Sequence, residues 1–224
     1  MASCLLSSAY FAPVQWYSKL NRYGTSYIET CDNFVKQTYR NRCLIAATNG
    51  VQALTVPIER SEAAQLMTNG TAINDDSRHN GKQLMRDIRI SDHGNWRHLH
   101  LNALKSAYGE SPFFEYYADD ILPFFERKWT FLHDFNMEIC SVICNLLDIQ
   151  PDIKTTEKYL SADEAAQSGL ADFRDAIRPK HPLPDGDFTP RRYYQVYEQK
   201  HGFIPNLSIL DLLFNMGNES VLYL

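Results

Sequence analysis

The chain has 224 residues, 44% of them hydrophobic and 22% charged, a balance that suits one globular core and excludes a disordered or fibrous protein. A chain of this length buries on the order of 70% of its unfolded surface, so it needs no crosslinks to fold. Its 22 basic residues against 27 acidic ones leave a net charge of −5, which removes the counterion-release driving force for nucleic acid. Five cysteines, an odd number, read as reduced thiols. The opening Met1-Ala2-Ser3-Cys4 has no basic region before its short apolar run, and no stretch approaches the length of a membrane span. The expected location is therefore the cytoplasm, and no nucleic-acid partner or membrane span is expected.

Cys4 to Leu6 reads as a buried strand, followed after Pro13 by a helical spacing of Val14, Trp16, Tyr17, Leu20 and Tyr23. Gly24 ends that helix and Ser26 to Thr30 reads as a second strand, so the chain opens with a β-α-β unit that favours parallel pairing. Two β-prone runs flank Asn49-Gly50, which predicts an antiparallel hairpin. Residues 59–87 turn polar and predict a surface excursion. Ile88 to Ile90 reads as a strand, after which Ser91 or Asp92 opens a helix through Trp96, Leu99, Leu101, Leu104 and Tyr108.

A helical segment from Ser111-Pro112 meets Pro123, which interrupts or kinks it. Between Asn136 and Asp148 the residues Ile139, Cys140, Ile143, Cys144 and Leu147 form one apolar stripe, the mark of a core helix. Lys154 to Leu160 reads as a strand, and residues 161–192, rich in Asp, Pro and Gly, as a long loop. Tyr193 to Gln199 and Ile209 to Phe214 read as short helices. The fold class expected is α/β: a mixed sheet with an N-terminal β-α-β unit, a β-hairpin and a helix-rich C-terminal half, in a single domain over residues 1–224.

His93, His98 and His100 bring metal ligation to mind, yet on a helix positions 98 and 100 lie about 200° apart and 93 and 100 two turns apart, so no shared ion is expected. Cys140 and Cys144 share the apolar stripe and read as buried thiols without metal. Tyr39-Arg40-Asn41-Arg42 is the densest polar cluster. Its guanidiniums either bind an anion bidentately or stand in solvent at a strand start. Asp172-Phe173-Arg174-Asp175 adds charge in a loop, and Pro205-Asn206-Leu207-Ser208 reads as a helix start with Asn206 or Ser208 as N-cap. No phosphate loop, dinucleotide fingerprint, nucleophile elbow or Cys-x-x-Cys occurs, and no cofactor is expected.

Taken in order, Tyr10-Phe11-Ala12-Pro13-Val14-Gln15 with Lys19, Tyr39-Arg40-Asn41-Arg42, Leu54-Thr55-Val56-Pro57, Asn95-Trp96, His100, Tyr108, Ser111-Pro112-Phe113-Phe114 and Gly202 to Phe214 resemble the WbqC-like family of bacterial proteins. The chain departs from that pattern at Ser8-Ala9, where many members carry His-Gln, and a family-wide catalytic role for that His does not carry over. The resemblance implies a place in surface-polysaccharide (O-antigen) biosynthesis, either as an enzyme acting on an activated sugar or transferring an acyl or aminoacyl group, or as a non-catalytic binding or scaffold protein of the same pathway. The partner it implies is an anionic small molecule such as a nucleotide-sugar or acyl donor. Arg40, Arg42 and Arg174 would hold its charge, with Gln15, Lys19, Tyr39, Asn41, Asn206 and Ser208 as further ligand-binding residues. Trp96 and Tyr108 would stack on a ring. His100 and Asp172 are the candidate general acid or base. Residues 40–42 and 205–208 are expected to line one cleft.

Overall fold

A computed structural model describes residues 2–59 and 83–224, so the interior of the predicted surface excursion lies outside the described residues. Strand β1 (Ser3–Ser7) carries Cys4, Leu5 and Leu6 with no exposed surface, an unbroken apolar run of the kind that a parallel sheet covered on both faces requires. Helix α1 (Val14–Arg22) carries the chain to β2 (Thr25–Glu29), which pairs in parallel with β1 from Ser3 opposite Thr25 to Ser7 opposite Glu29. Strand β5 (Asp152–Thr155) adds outside β2, and β6 (Leu170–Asp172) adds on the free side of β1. The sheet order is therefore β5-β2-β1-β6, all parallel.

Helix α1 starts without a side-chain cap of its own. Its first amide groups are met from the far end of the sequence: Val14 donates to the Leu207 carbonyl at 3.0 Å and Gln15 to Asn206 Oδ1 at 3.0 Å. Those amides would otherwise be orphaned at the helix start. The expected hairpin is β3 (Arg42–Ala47) with β4 (Gly50–Thr55), a two-stranded sheet of its own. Ala47 pairs with Gly50, so Thr48 and Asn49 form the turn and Gly50, at φ 105°, supplies its positive φ.

Helix α2 (Trp96–Tyr108) begins later than Ser91 or Asp92, because Gly94 at φ 76° breaks the chain direction first. Helix α3 (Phe114–Ile121) tightens into a 3₁₀ turn over Leu122–Phe125 at Pro123. Helix α4 (Leu132–Leu146) starts a turn before Asn136 and buries the predicted stripe: Ile139 and Ile143 are fully buried, with Cys140 and Cys144 close behind, their sulfurs 3.9 Å apart.

The segment read as a loop over 161–192 contains two elements. Ser161 and Glu164 form a capping box that opens helix α5 (Ala162–Gln167), and Gly169 at φ 70° turns the chain into β6. Residues 193–197 are not helical. Only α6 (Glu198–His201) forms there, because Tyr193 and Gln195 are held to Asp211 of helix α7 (Ile209–Met216). Ile88 to Ile90 makes single bridges, from Ile90 to Ile58 and from Arg89 to Phe131, and no strand. Just before it, Met85 is fully buried and its amide reaches the Asp32 carbonyl at 2.8 Å, so the last residues of the predicted excursion return to the end of β2.

Candidate functional site at the carboxyl ends of the sheet

In a parallel sheet the crevice at the carboxyl ends, where neighbouring strands lead away in opposite directions, is the natural place for a ligand. Here that place lies between β1, which connects across to β2, and β6 on its other side. β2 ends in Glu29, which is fully buried. Glu29 Oε1 accepts from the Cys31 amide at 2.9 Å and the Thr156 hydroxyl at 2.7 Å, and Oε2 from the Leu160 amide at 3.1 Å and Arg174 Nη1 at 3.3 Å. Arg174, one residue past Phe173 at the end of β6, also donates to both oxygens of Asp172, at 2.9 Å from Nε and 2.6 Å from Nη2, and to the Leu160 carbonyl at 2.7 Å. Its guanidinium thus joins the ends of β2 and β6, the two strands that flank β1.

Beyond β2 the chain buries a second pair, Asp32 with Arg40, each side chain 9% exposed. Burial pushes the Asp32 carboxyl above its ordinary value, against the pull of Arg40. Arg40 Nη1 also reaches Thr38 Oγ1 at 3.4 Å. Asn136 of α4 holds this segment to β1: its Nδ2 donates to the Arg40 carbonyl at 2.8 Å and to Ser8 Oγ at 2.9 Å.

Ser7, Ser8, Arg40, Arg174 and Arg178, with Trp16, Phe173 and Ile177 as apolar walls, line a narrow crevice in which about 10 Å³ admits the centre of a water-sized group. Ser7 Oγ, Arg40 Nε, Asp32 Oδ1 and Asn136 Oδ1 are buried without a hydrogen-bond partner. They are four of the eight such side-chain atoms among the described residues; Ser7 and Arg40 line the crevice, and Asp32 and Asn136 each bond to Arg40. Unpaired buried polar atoms are costly and uncommon.

The structure brings Tyr39, Arg40 and Arg174 together at this crevice, with Asp172 held by Arg174. Arg40 and Arg42 part company, because residues 39–41 turn and Arg42 opens β3, where its Nε bonds Thr55 Oγ1 at 3.0 Å across the hairpin. Asn41 ties the same region together through its Nδ2 and the Val56 carbonyl at 2.8 Å.

Residues 205–208 do not line the crevice. Asn206 serves the start of α1, and Ser208 caps α7 while donating to the Phe11 carbonyl at 2.8 Å. Gln15 and fully buried Lys19 both bond Asp185, at 2.8 and 2.9 Å, and Lys19 Nζ lies 4.1 Å from the centre of the Phe173 ring.

Trp96, His100 and Tyr108 point into the core from α2. Trp96 donates to the Ser91 carbonyl at 3.1 Å and packs edge-on to His100. His100 Nδ1 lies 2.9 Å from Tyr10 Oη, and burial drives its pKa down to about 4. Tyr108 donates to Asp211 at 2.9 Å. The residues that spacing alone did not single out are Ser7, Glu29, Asp32 and Asn136. Glu29 and Asp32 bracket the end of the expected second strand, and the rule that sites gather at strand carboxyl ends is the signal that finds them.

Among the described residues, no group of three potential ligands stands where it could hold a metal ion, and no helix is long and apolar enough to cross a membrane. A model described as the WbqC-like protein family matches residues 8–85, 76–181 and 186–223. The chain is also 26% identical over 210 residues to a Mycobacterium tuberculosis (strain ATCC 25618 / H37Rv) protein named "Uncharacterized protein Rv1507c", covering 85% of this chain and 83% of that one. No solved structure matches.

Proposed function

The chain belongs to the WbqC-like protein family, and from that membership together with the polar crevice between β1 and β6 we propose that it is an enzyme of bacterial surface-polysaccharide biosynthesis acting on an activated sugar or an acyl or aminoacyl donor. The observation that carries this reading is the gathering of unpartnered Ser7, Arg40, Asp32 and Asn136 atoms at the strand ends. The substrate enters past Arg178, which lines the crevice with an exposed ion partner, Asp175, and takes the anionic part of the donor. Arg174 frames the opposite wall and orients Asp172, the candidate acid–base group nearest the crevice. His100 acts at a distance, fixing Tyr10 and the strand-end loop from the core side.

A second reading, a non-catalytic binding protein of the same pathway, is favoured by one observation: both Asp172 oxygens already accept from Arg174, so the carboxylate is engaged in holding the guanidinium. A panel of uridine diphosphate sugars and acyl thioesters separates the two. Thermal stabilisation by a panel member, lost in Arg178→Ala, supports the site, and slow consumption of that donor supports the enzyme over the binder. Stabilisation by no member, or stabilisation untouched by Arg178→Ala and Ser7→Ala, would overturn the reading.

A further inference from the structure

Helix α1 spends one face on a loop from the far end of the chain. Gln15 and Lys19 bond Asp185 at 2.8 and 2.9 Å, Arg22 Nη1 donates to the Asp187 carbonyl at 3.0 Å, and Tyr23 donates to the Asp187 carboxylate at 2.9 Å. The Asp187 amide closes the loop on Asp185 Oδ1 at 3.0 Å. The Lys19 and Asp185 side chains are 0% and 5% exposed, the most enclosed ion pair among the described residues. Burying two charges is costly, and a surface loop fastened that way is held in one place. Beside it lies a cavity of about 560 Å³, within the size range of small-molecule sites, which shares no residue with the crevice between β1 and β6.

The wall of this cavity is neither apolar nor a free cationic cluster. Its charged side chains are Arg22, Asp187 and Arg191. Arg22 is engaged with Asp187, Nη2 lying 3.5 Å from Oδ1, and Arg191 Nη1 donates to the Leu222 carbonyl. The capacity that remains runs in both directions. The Asn21 amide and the Thr189 hydroxyl each donate and accept, Asp187 accepts, and the other Arg191 N–H groups donate. Ser18, whose hydroxyl donates to the Gln15 carbonyl at 2.7 Å, also accepts. Phe188 and Tyr223, both partly buried, add ring surface. We propose that this cavity is a carbohydrate site that takes a pyranose ring, independently of the crevice. Sugar hydroxyls each donate and accept, as this wall does, and the C–H face of the ring packs on an aromatic face. Arg191 receives a hydroxyl of a neutral sugar or the carboxylate of a sugar acid. A phosphate would compete with Asp187 for Arg22, and the edge groups of a flat base each donate or accept but do not do both.

Glucose, galactose and glucuronate, titrated into the full chain at neutral pH and followed by NMR, test this. Mannitol, with the hydroxyls but no ring, and uracil, with a flat ring but no hydroxyls, are the comparisons. At least one pyranose binds roughly tenfold or more tightly than both, and Asn21→Ala combined with Arg191→Ala, two exposed positions, weakens it roughly tenfold with the thermal midpoint measured alongside. Asn21→Ala alone decides if the pair disturbs the fold. Glucuronate binding best, with that preference lost in Arg191→Ala, assigns a sugar acid, and glucose or galactose binding as well or better assigns a neutral sugar. Binding of no pyranose, or of mannitol or uracil equally, would overturn the proposal. So would pyranose binding that survives the Asn21 and Arg191 changes but is lost in Arg178→Ala, which would put the sugar in the crevice instead.

Discussion

Two buried carboxylates in this protein live under opposite regimes. Asp211, in the first turn of α7, has both oxygens bonded: Tyr108 donates to Oδ1 at 2.9 Å, and Tyr193 and Gln195 donate to Oδ2 at 2.7 and 2.8 Å. Asp32, beyond the end of β2, is as enclosed as its partner Arg40, yet each keeps one buried polar atom with nothing to bond. The first arrangement fastens the 193–195 segment to the core and asks nothing of a ligand. The second leaves Asp32 Oδ1 and Arg40 Nε unbonded beside the sheet's switch point, and the proposed function rests on that difference.

The largest effect should come from the filled site. Asp211→Ala leaves the Tyr108 and Tyr193 hydroxyls without an acceptor inside the core, while Gln195 keeps the Ile204 carbonyl, and a loss of about 3 kcal/mol in chemical denaturation is expected. A loss below about 1 kcal/mol would mean that the network is not what holds residues 193–195.

Next comes the asymmetry between two arginines that look alike in sequence. Arg40→Ala strands Asp32 as a buried unpaired acid and should cost about 3 kcal/mol, whereas Arg42→Ala, which loses an exposed bond to Thr55, should stay within about 0.5 kcal/mol. Equal losses would show that the two share one environment.

The pH profile sharpens the comparison further. His100 titrates near pH 4 in the fold against about 6.5 unfolded, so its contribution is complete above pH 6.5 and is lost as pH falls toward 4, about 3 kcal/mol in all. Asp211 is pushed up to about 6, first by burial, from 3.8. Its sign is opposite, because the folded state takes up the proton earlier and gains about 3 kcal/mol as pH falls from 6 to 3.8. The two offset between pH 6 and 4 in the native protein. In Asp211→Asn only the His100 loss remains, so stability measured against pH should fall steeply below 6.5. An unchanged slope would contradict the assignment of either group.

The smallest effect on stability is expected at Ser7. Its hydroxyl makes no bond, so Ser7→Ala should leave the folding stability within about 0.5 kcal/mol of the native protein while ligand binding falls. A marked loss of stability would place Ser7 in a structural role.

Much of the frame was legible from local pattern. The β-α-β unit, the Asn49-Gly50 hairpin and the Ile139-Ile143 stripe each carry their own periodicity or turn chemistry. β6 does not, because Leu170-Ala171-Asp172 is too short to show alternation and becomes a strand only by pairing with β1. The candidate site was half legible. Arg40 and Arg174 stood out as cations, but that each answers a buried acid, Asp32 for one and Glu29 with Asp172 for the other, depends on which strand ends meet. His100 carried a readable sign of its core position. It lies four residues from both Trp96 and Leu104, on the buried face of α2.

The central claim, that the crevice between β1 and β6 is the ligand site, is met most directly by a crystal structure grown with members of the uridine diphosphate sugar and acyl thioester panel. The account predicts a bound panel member with its anionic part at Arg178 and a polar atom within hydrogen-bond reach of Ser7 Oγ or Arg40 Nε. Ordered water alone satisfying Ser7, Asp32, Arg40 and Asn136, with the panel members bound elsewhere or not at all, would contradict it.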